Sequence, residues 1–142
     1  MGTSTKTVIS VHTIIHAPVE KVWKHFTTPE HIVNWNFASD DWHSPSAMND
    51  LQIGGKFNYR MEAKDASFGF DFYGTYDAVI ENELIEYTMG DDRKVKVIFY
   101  PMENRTEIVE NFEAENTNTI ELQRTGWQAI LDNLKKLVES TN

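Results

Sequence analysis

Cysteine is absent from the 142 residues. A disulfide framework, a zinc finger, a thiolate metal site and a cysteine nucleophile are therefore excluded together. A chain of this length removes roughly two-thirds of its extended surface from water on folding, so it needs no covalent or metal staple to hold a core. Positive charge is also scarce, with 13 Lys and Arg against 22 Asp and Glu and a formal net charge of −9. Phosphate backbones and anionic bilayers both require a positive footprint that these cations do not form, so neither nucleic acid nor a membrane is an expected partner. No run approaches the roughly 18 apolar residues of a membrane span. The polar opening, residues 1–10, lacks a hydrophobic signal core, and the expected setting is cytoplasmic. No internal repeat, low-complexity tract or Gly/Ser-rich linker interrupts the chain, so one domain over 1–142 is expected.

Aromatic residues make up 12% of the chain, a content that argues against disorder and for a packed interior. Val8–Ile15 (VISVHTII) is rich in β-branched residues and predicts a first strand, stopped at His16-Ala17-Pro18. Val19, Val22, Trp23 and Phe26 repeat at the spacing of one helical face. A second short helix is expected after Thr28-Pro29, with Ile32, Val33 and Trp35 as its apolar side. Residues 36–50 (NFASDDWHSPSAMND) follow no period and read as a long loop.

Beyond Gly54-Gly55, alternation returns. Phe57, Tyr59 and Met61 share one face of a strand, and Phe68, Phe70, Phe72, Tyr76, Ala78 and Ile80 share one face of a longer strand with a bend or bulge expected at Gly74. Strands over Leu84–Met89, 94–100 and 106–112 follow as antiparallel hairpins. Asn118 or Thr119 is placed to cap a last helix, in which Trp127, Ile130, Leu131, Leu134, Leu137 and Val138 form one apolar stripe. The order predicts an α+β fold, with helices on one face of a curved antiparallel sheet and an aromatic-lined gap between them.

The segments HAPVEKVW (16–23), GGKFNYRME (54–62), GTYDAVIENELIEYT (74–88) and GWQAILDNLKKLVE (126–139), together with Trp35, resemble the START-like, or SRPBCC, superfamily. Within it the chain is similar to single-domain bacterial proteins grouped with the C-terminal domain of the activator of heat-shock protein 90 ATPase. The resemblance covers nearly the whole chain. It implies a helix-grip fold, in which six or seven antiparallel strands curve around a long C-terminal helix, two short helices follow the first strand, and a deep cavity lies between. Members of this superfamily hold lipids, sterols, aromatic polyketides or plant hormones, and some are cyclases or oxygenase subunits. The oxygenase subunits carry an iron site and a partner domain. The residues here suggest neither, and no cofactor is expected. The eukaryotic activators join the domain to an N-terminal chaperone-binding domain that is not expected in these residues. A chaperone partner is thus implied by resemblance only. The resemblance also places Trp35 beside the cavity as a lining candidate.

Among residues able to carry chemistry, Glu110 shares one side of the last strand with Thr106, Ile108 and Phe112. If that side is inward, desolvation raises the carboxyl pKa and makes Glu110 an acid, a base or a ligand anchor. If Glu107, Val109 and Asn111 are inward instead, Glu110 is solvated, and parity leaves both faces open. Asp40-Asp41-Trp42-His43 places two carboxylates beside an imidazole and an indole, which suits proton transfer or a polar contact, but the motif has low specificity and turn formation with a tryptophan lid is the favoured account. His12, His16, His25 and His31 lack the spacing of metal ligands, so no metal site is expected and surface solvation accounts for most of them. Gln123 and Trp127 lie one turn apart where the last helix turns from apolar to polar, as at a pocket mouth. Gly126 beside them would allow close approach by a neighbour or ligand.

The function these features favour is binding of a small hydrophobic or amphipathic molecule by a monomer or weak homodimer. Trp35, Trp42, Tyr59, Phe70, Phe72, Val97, Glu110, Gln123 and Trp127 are the candidate binding residues. The alternatives are a cyclase, hydrolase or isomerase using Glu110 and His43 as acid and base, or a stress-related chaperone-interaction module.

Overall fold

The computed structural model describes residues 7–141. Ten elements follow one another: β1 (Val8–Ile15), α1 (Val19–Thr27), α2 (Pro29–Ile32), β2 (Trp42–Asn49), β3 (Lys56–Ala63), β4 (Gly69–Ile80), β5 (Leu84–Met89), β6 (Lys94–Met102), β7 (Arg105–Glu113) and α3 (Ile120–Ser140). The seven strands form one antiparallel sheet in the order β1-β7-β6-β5-β4-β3-β2. This is the curled helix-grip arrangement expected, with the strand count at its upper value. Among the described residues no helix is long and apolar enough to cross a membrane.

The strand over residues 42–49 corrects the long-loop expectation. β2 pairs with β3 along one side only, and its register shifts between His43 and Ser46, around Ser44 and Pro45. A proline at a bulge on an edge strand removes no interior ladder bond, so turn-forming residues occupy a strand without breaking the sheet. β4 departs in a different way. The irregularity lies between Tyr76 and Ala78 rather than at Gly74, and the extra residue swaps the faces beyond it. Val79 consequently packs against the core, while Ile80, expected inside, is 48% exposed. α2 stops at Ile32, leaving Trp35 in the turn behind it.

Thr119 caps α3 by accepting a hydrogen bond from the Leu122 N–H at 3.1 Å, which satisfies one of the helix's unpaired first-turn donors. Leu131, Leu134 and Val138 are buried along its C-terminal half, and the helix lies chiefly against β1. Here side chains of α3 also reach the open edge of that strand. Gln128 Nε2 donates to the His12 carbonyl at 2.9 Å, and Lys135 Nζ donates to the Ile14 carbonyl at 2.6 Å. The His16 N–H donates to Glu139 Oε2 at 2.8 Å, while Glu139 also pairs with Lys135 at 2.6 Å. The helix therefore occupies hydrogen-bonding groups that an edge strand would otherwise leave for another chain.

His25 corrects the expectation of a surface histidine: it is 5% exposed, with Nδ1 2.9 Å from the Lys21 carbonyl and its ring stacked on His31 at 4.2 Å. Thr141 Oγ1 lies 3.3 Å from its Nε2, and Lys21 Nζ bonds the Thr141 carbonyl, so this cluster fastens the far end of α3. Burial lowers the His31 pKa, with the neighbouring His25 contributing in the same direction.

Truncating Leu134, which has no exposed surface, leaves a void where the helix meets the sheet. Leu134→Ala is expected to cost about 2–5 kcal/mol, measured as a fall in the urea midpoint with little change in slope.

Candidate functional site

The N-terminal half of α3 is less deeply buried than the half that carries Leu131, Leu134 and Val138. Trp127 and Ile130 are only partly buried and pack at the margin of the core. Between them and β3, β4 and β5 lies a cavity of about 250 Å³, many times the roughly 10–15 Å³ that one water needs. The sheet contributes Phe57, Tyr59, Met61, Phe70, Phe72, Tyr76, Ile85 and Tyr87, and the helical side contributes Phe26, Trp35, Trp127 and Ile130. Asn36, Arg93, Glu110 and Glu115 supply the remaining polar lining.

The rings brace one another. Trp127 stacks on buried Phe112 with centroids 3.9 Å apart and planes 9° apart, and Phe72 meets the same indole edge-on at 6.2 Å. Phe57 touches Tyr87 at 4.9 Å, Tyr59 at 5.1 Å and Tyr76 at 5.2 Å. Trp35 is fixed by its indole N–H, which donates to the His25 carbonyl at 2.9 Å, and by stacking on Phe26 at 5.4 Å. Such mutual edge and face contacts hold rings in defined orientations, so an aromatic wall persists around an unfilled volume.

A second, more open hollow of about 300 Å³ adjoins the cavity and shares Met61, Phe70, Glu115, Trp127 and Ile130 with it. Its rim carries Trp42, which contacts Phe68 at 6.0 Å and Phe70 at 5.9 Å. Phe68 is 63% and Phe70 42% exposed, an apolar lip where water would ordinarily favour polar residues.

Glu110 resolves the parity left open by the sequence. In β7, Thr106, Ile108, Glu110 and Phe112 are buried, and Glu107, Val109 and Asn111 are only partly so. Glu110 stands between Val11 of β1 and Val97 of β6, and among the described residues no hydrogen bond or ion pair ties its carboxyl. Desolvation pushes its pKa up to about 8. Burial likewise raises the Tyr59 and Tyr87 phenols well above their usual value, and that of Tyr76 to about 12, so all three are neutral at physiological pH.

Of the other candidates, Trp35, Tyr59, Phe70, Phe72 and Trp127 line the cavity, with Phe70 reaching it from the rim. Trp42 lines only the outer hollow. Val97 does not line the cavity. It is fully buried between Ile85 and Glu110, within the sheet's packed face. Gln123 borders the outer hollow, but its amide is committed to the turn before α3. It accepts from the Glu115 N–H at 2.9 Å and donates to the Asn118 and Glu115 carbonyls at 2.8 and 3.3 Å. His43 borders neither hollow and lies 3.8 Å from Glu62, so it is not placed to share a proton with Glu110. Asp41 is a turn former, accepting from the Ser39 hydroxyl at 2.5 Å and, through its carbonyl, from the Lys64 N–H at 2.8 Å. Apart from its chain neighbours and its own helix backbone, no atom of the described residues would lie within 4 Å of a Cβ at Gly126, so no packing against another element explains that glycine.

Besides Phe26, Met61, Ile85 and Ile130, the lining residues missed were Phe57, Tyr76, Tyr87, Asn36, Arg93 and Glu115. The first three of these six sit in predicted strands, Phe57 and Tyr76 at positions legible as core. Only the curl of the sheet turns such core positions into lining. The other three lie at element ends, where period carries no information.

The family model for Activator of Hsp90 ATPase homolog 1-like protein matches residues 16–139. The chain is 41% identical to an AHSA1-like protein from Aeromonas hydrophila, with a TM-score of 0.89 over 94% of this chain and 93% of that one. It is 51% identical to a protein from Cytophaga hutchinsonii, with a TM-score of 0.81 over 93% of this chain and 92% of that one. A protein from Chromobacterium violaceum shares the fold at 23% identity, with a TM-score of 0.85 over 94% of this chain and 98% of the other. No curated protein matches.

The buried carboxyl sets a pH dependence. The unfolded chain releases this proton near 4.5 and the folded chain near 8, so in that window the folded state holds more protons and loses stability as pH rises. The slope attributable to Glu110 is at most about 1.4 kcal/mol per pH unit. Glu110→Gln is expected to remove it and to be the more stable protein at pH 7.5, as read from urea unfolding between pH 5 and 8.

Proposed function

The chain belongs to the family of Activator of Hsp90 ATPase homolog 1-like proteins, and from that premise we propose that it binds a small, largely apolar molecule between its sheet and its C-terminal helix. The observation that carries the reading is the aromatic-walled cavity of about 250 Å³. Interiors are ordinarily packed with few voids larger than a water, because an unfilled volume forfeits dispersion contacts on every side. A void of this size, with rings braced around it, is the shape that an apolar occupant completes. The half-buried Trp42 and the exposed Phe68 and Phe70 beside the outer hollow support an entry route at that end.

One observation favours a second reading, proton transfer on the bound molecule. Glu110 keeps its proton to about pH 8 and faces the cavity, as a general acid requires. Turnover would then depend on Glu110 without His43.

Native mass spectrometry of freshly purified protein, followed by denaturation and analysis of the released compounds, tests the binding reading. A stoichiometric apolar molecule is the expected result. Ile130→Trp, which adds volume at a position shared by both hollows, is expected to remove that molecule while preserving a cooperative unfolding transition. A protein that is purified empty, and whose melting temperature is unmoved by a panel of lipids and aromatics, would overturn the proposal.

A further inference from the structure

We infer that the cavity selects a molecule with one basic nitrogen on a compact aromatic body, its ammonium seated against the Glu110 carboxylate and the surrounding ring faces. The inference rests on the ligand-binding reading above and adds a chemical class to it.

The argument starts from what each polar lining group is already doing. Arg93 Nε bonds the Asp91 carboxylate at 2.8 Å, and its Nη1 bonds the Glu113 carbonyl at 3.2 Å. Glu115 Oε1 accepts from the Asn118 N–H and Nδ2, both at 2.8 Å. The Tyr76 hydroxyl donates to Asn49 Oδ1 at 2.5 Å. Glu110 alone among these carries a carboxyl with no donor and no cation beside it, although it is 8% exposed and faces the cavity. A buried carboxylate without a partner costs several kcal/mol, so the empty site keeps the group as a neutral acid. Among the described residues no other segment supplies a partner, and the open side of the group is the cavity itself.

Three ligand chemistries compete for that position. An anionic ligand would meet a neutral acid able to donate a single hydrogen bond, inside a chain whose net charge of −9 repels it. A neutral hydroxyl would take a single uncharged hydrogen bond. An ammonium supplies the missing charge and up to three N–H donors, and the faces of tyrosine, phenylalanine and tryptophan attract it further. The net negative charge also raises the local concentration of cations. The ion pair and the aromatic walls therefore act together for a protonated amine, and for neither of the other two.

The proton balance is explicit. An alkylammonium ion and the neutral Glu110 acid combine into an ammonium–carboxylate pair, and the carboxyl proton leaves to solvent. The groups facing the cavity from the other elements do not take it up. Tyr59, Tyr76 and Tyr87 from β3, β4 and β5 are held neutral, while Arg93 and Glu115 are engaged as described. Flanking Glu110 on β1 and β6 are Val11 and Val97, and α1 and α3 offer Phe26, Trp127 and Ile130, none of which titrates.

Isothermal titration of the full chain with phenethylamine, 2-phenylethanol and phenylacetate between pH 6 and 8, in two buffers of different ionisation enthalpy, tests the inference. Phenethylamine is expected to bind about ninefold more tightly at pH 7 than at pH 6 and about fivefold more tightly again at pH 8, releasing close to one proton at pH 6. The alcohol is expected to bind with no pH dependence below pH 7, and phenylacetate to bind most weakly. In Glu110→Gln the amine should lose about tenfold or more at pH 8 while the alcohol is retained. An alcohol as tight as the amine at pH 8, or amine binding without proton release, would overturn the cationic preference and leave the ligand-binding reading standing. Binding of none of the three would overturn the inference, and the ligand-binding reading falls with it only if the protein is also purified empty and unmoved by the wider panel.

Discussion

The architecture depends on how α3 is fastened. Leu131, Leu134 and Val138 anchor its C-terminal half in the core. Gln128, Lys135 and Glu139 meanwhile hold backbone groups of residues 12, 14 and 16 along the outer edge of β1. Apolar burial supplies most of the energy, and the polar seam fixes where along the strand the helix lies. With that end secured against β1, the sheet curls away through β6 and β5 to β3. The opposite half of the helix has no equally buried anchor, and the cavity occupies the difference.

Much of this was legible because the governing signals are local. The α3 stripe, the Thr119 cap and the alternation in β3, β5 and β7 each follow from spacing and residue type, and each stands where periodicity puts it. β2 was hidden because an edge strand is patterned by one neighbour instead of two, and because Pro45 and its serines are the vocabulary of turns. The shift between Tyr76 and Ala78 was hidden for another reason. No residue type there demands a bulge, and one extra residue reverses every assignment after it.

The site was less legible than the fold. Parity placed Glu110 beside Ile108 and Phe112 but said nothing of which side faced the helix, a fact that only pairing with β1 and β6 supplies. Gln123 looked like a mouth residue because it is polar on a mostly apolar face, yet its polarity serves the turn that leads into α3. Val97 looked like lining because it is apolar and central. Being central in a curled sheet put it under its neighbours. Whether a side chain lines a void or fills one is a property of the gap between two elements, and neither element's sequence encodes that gap separately.

The uneven anchoring of α3 also bears on how such a protein changes over generations. The leucines and valine that bury α3 and the residues it turns to the cavity are different side chains, and apart from Gln128 the seam along β1 lies beyond Trp127 and Ile130. A substitution at Trp127, Ile130 or Phe70 alters the shape of the cavity, while the seam along β1 and the buried leucines are untouched. Divergence in cavity shape is therefore largely uncoupled from divergence in foldability. A lineage built on this plan can reshape the cavity through a few replacements at the mouth, without first acquiring a more stable scaffold.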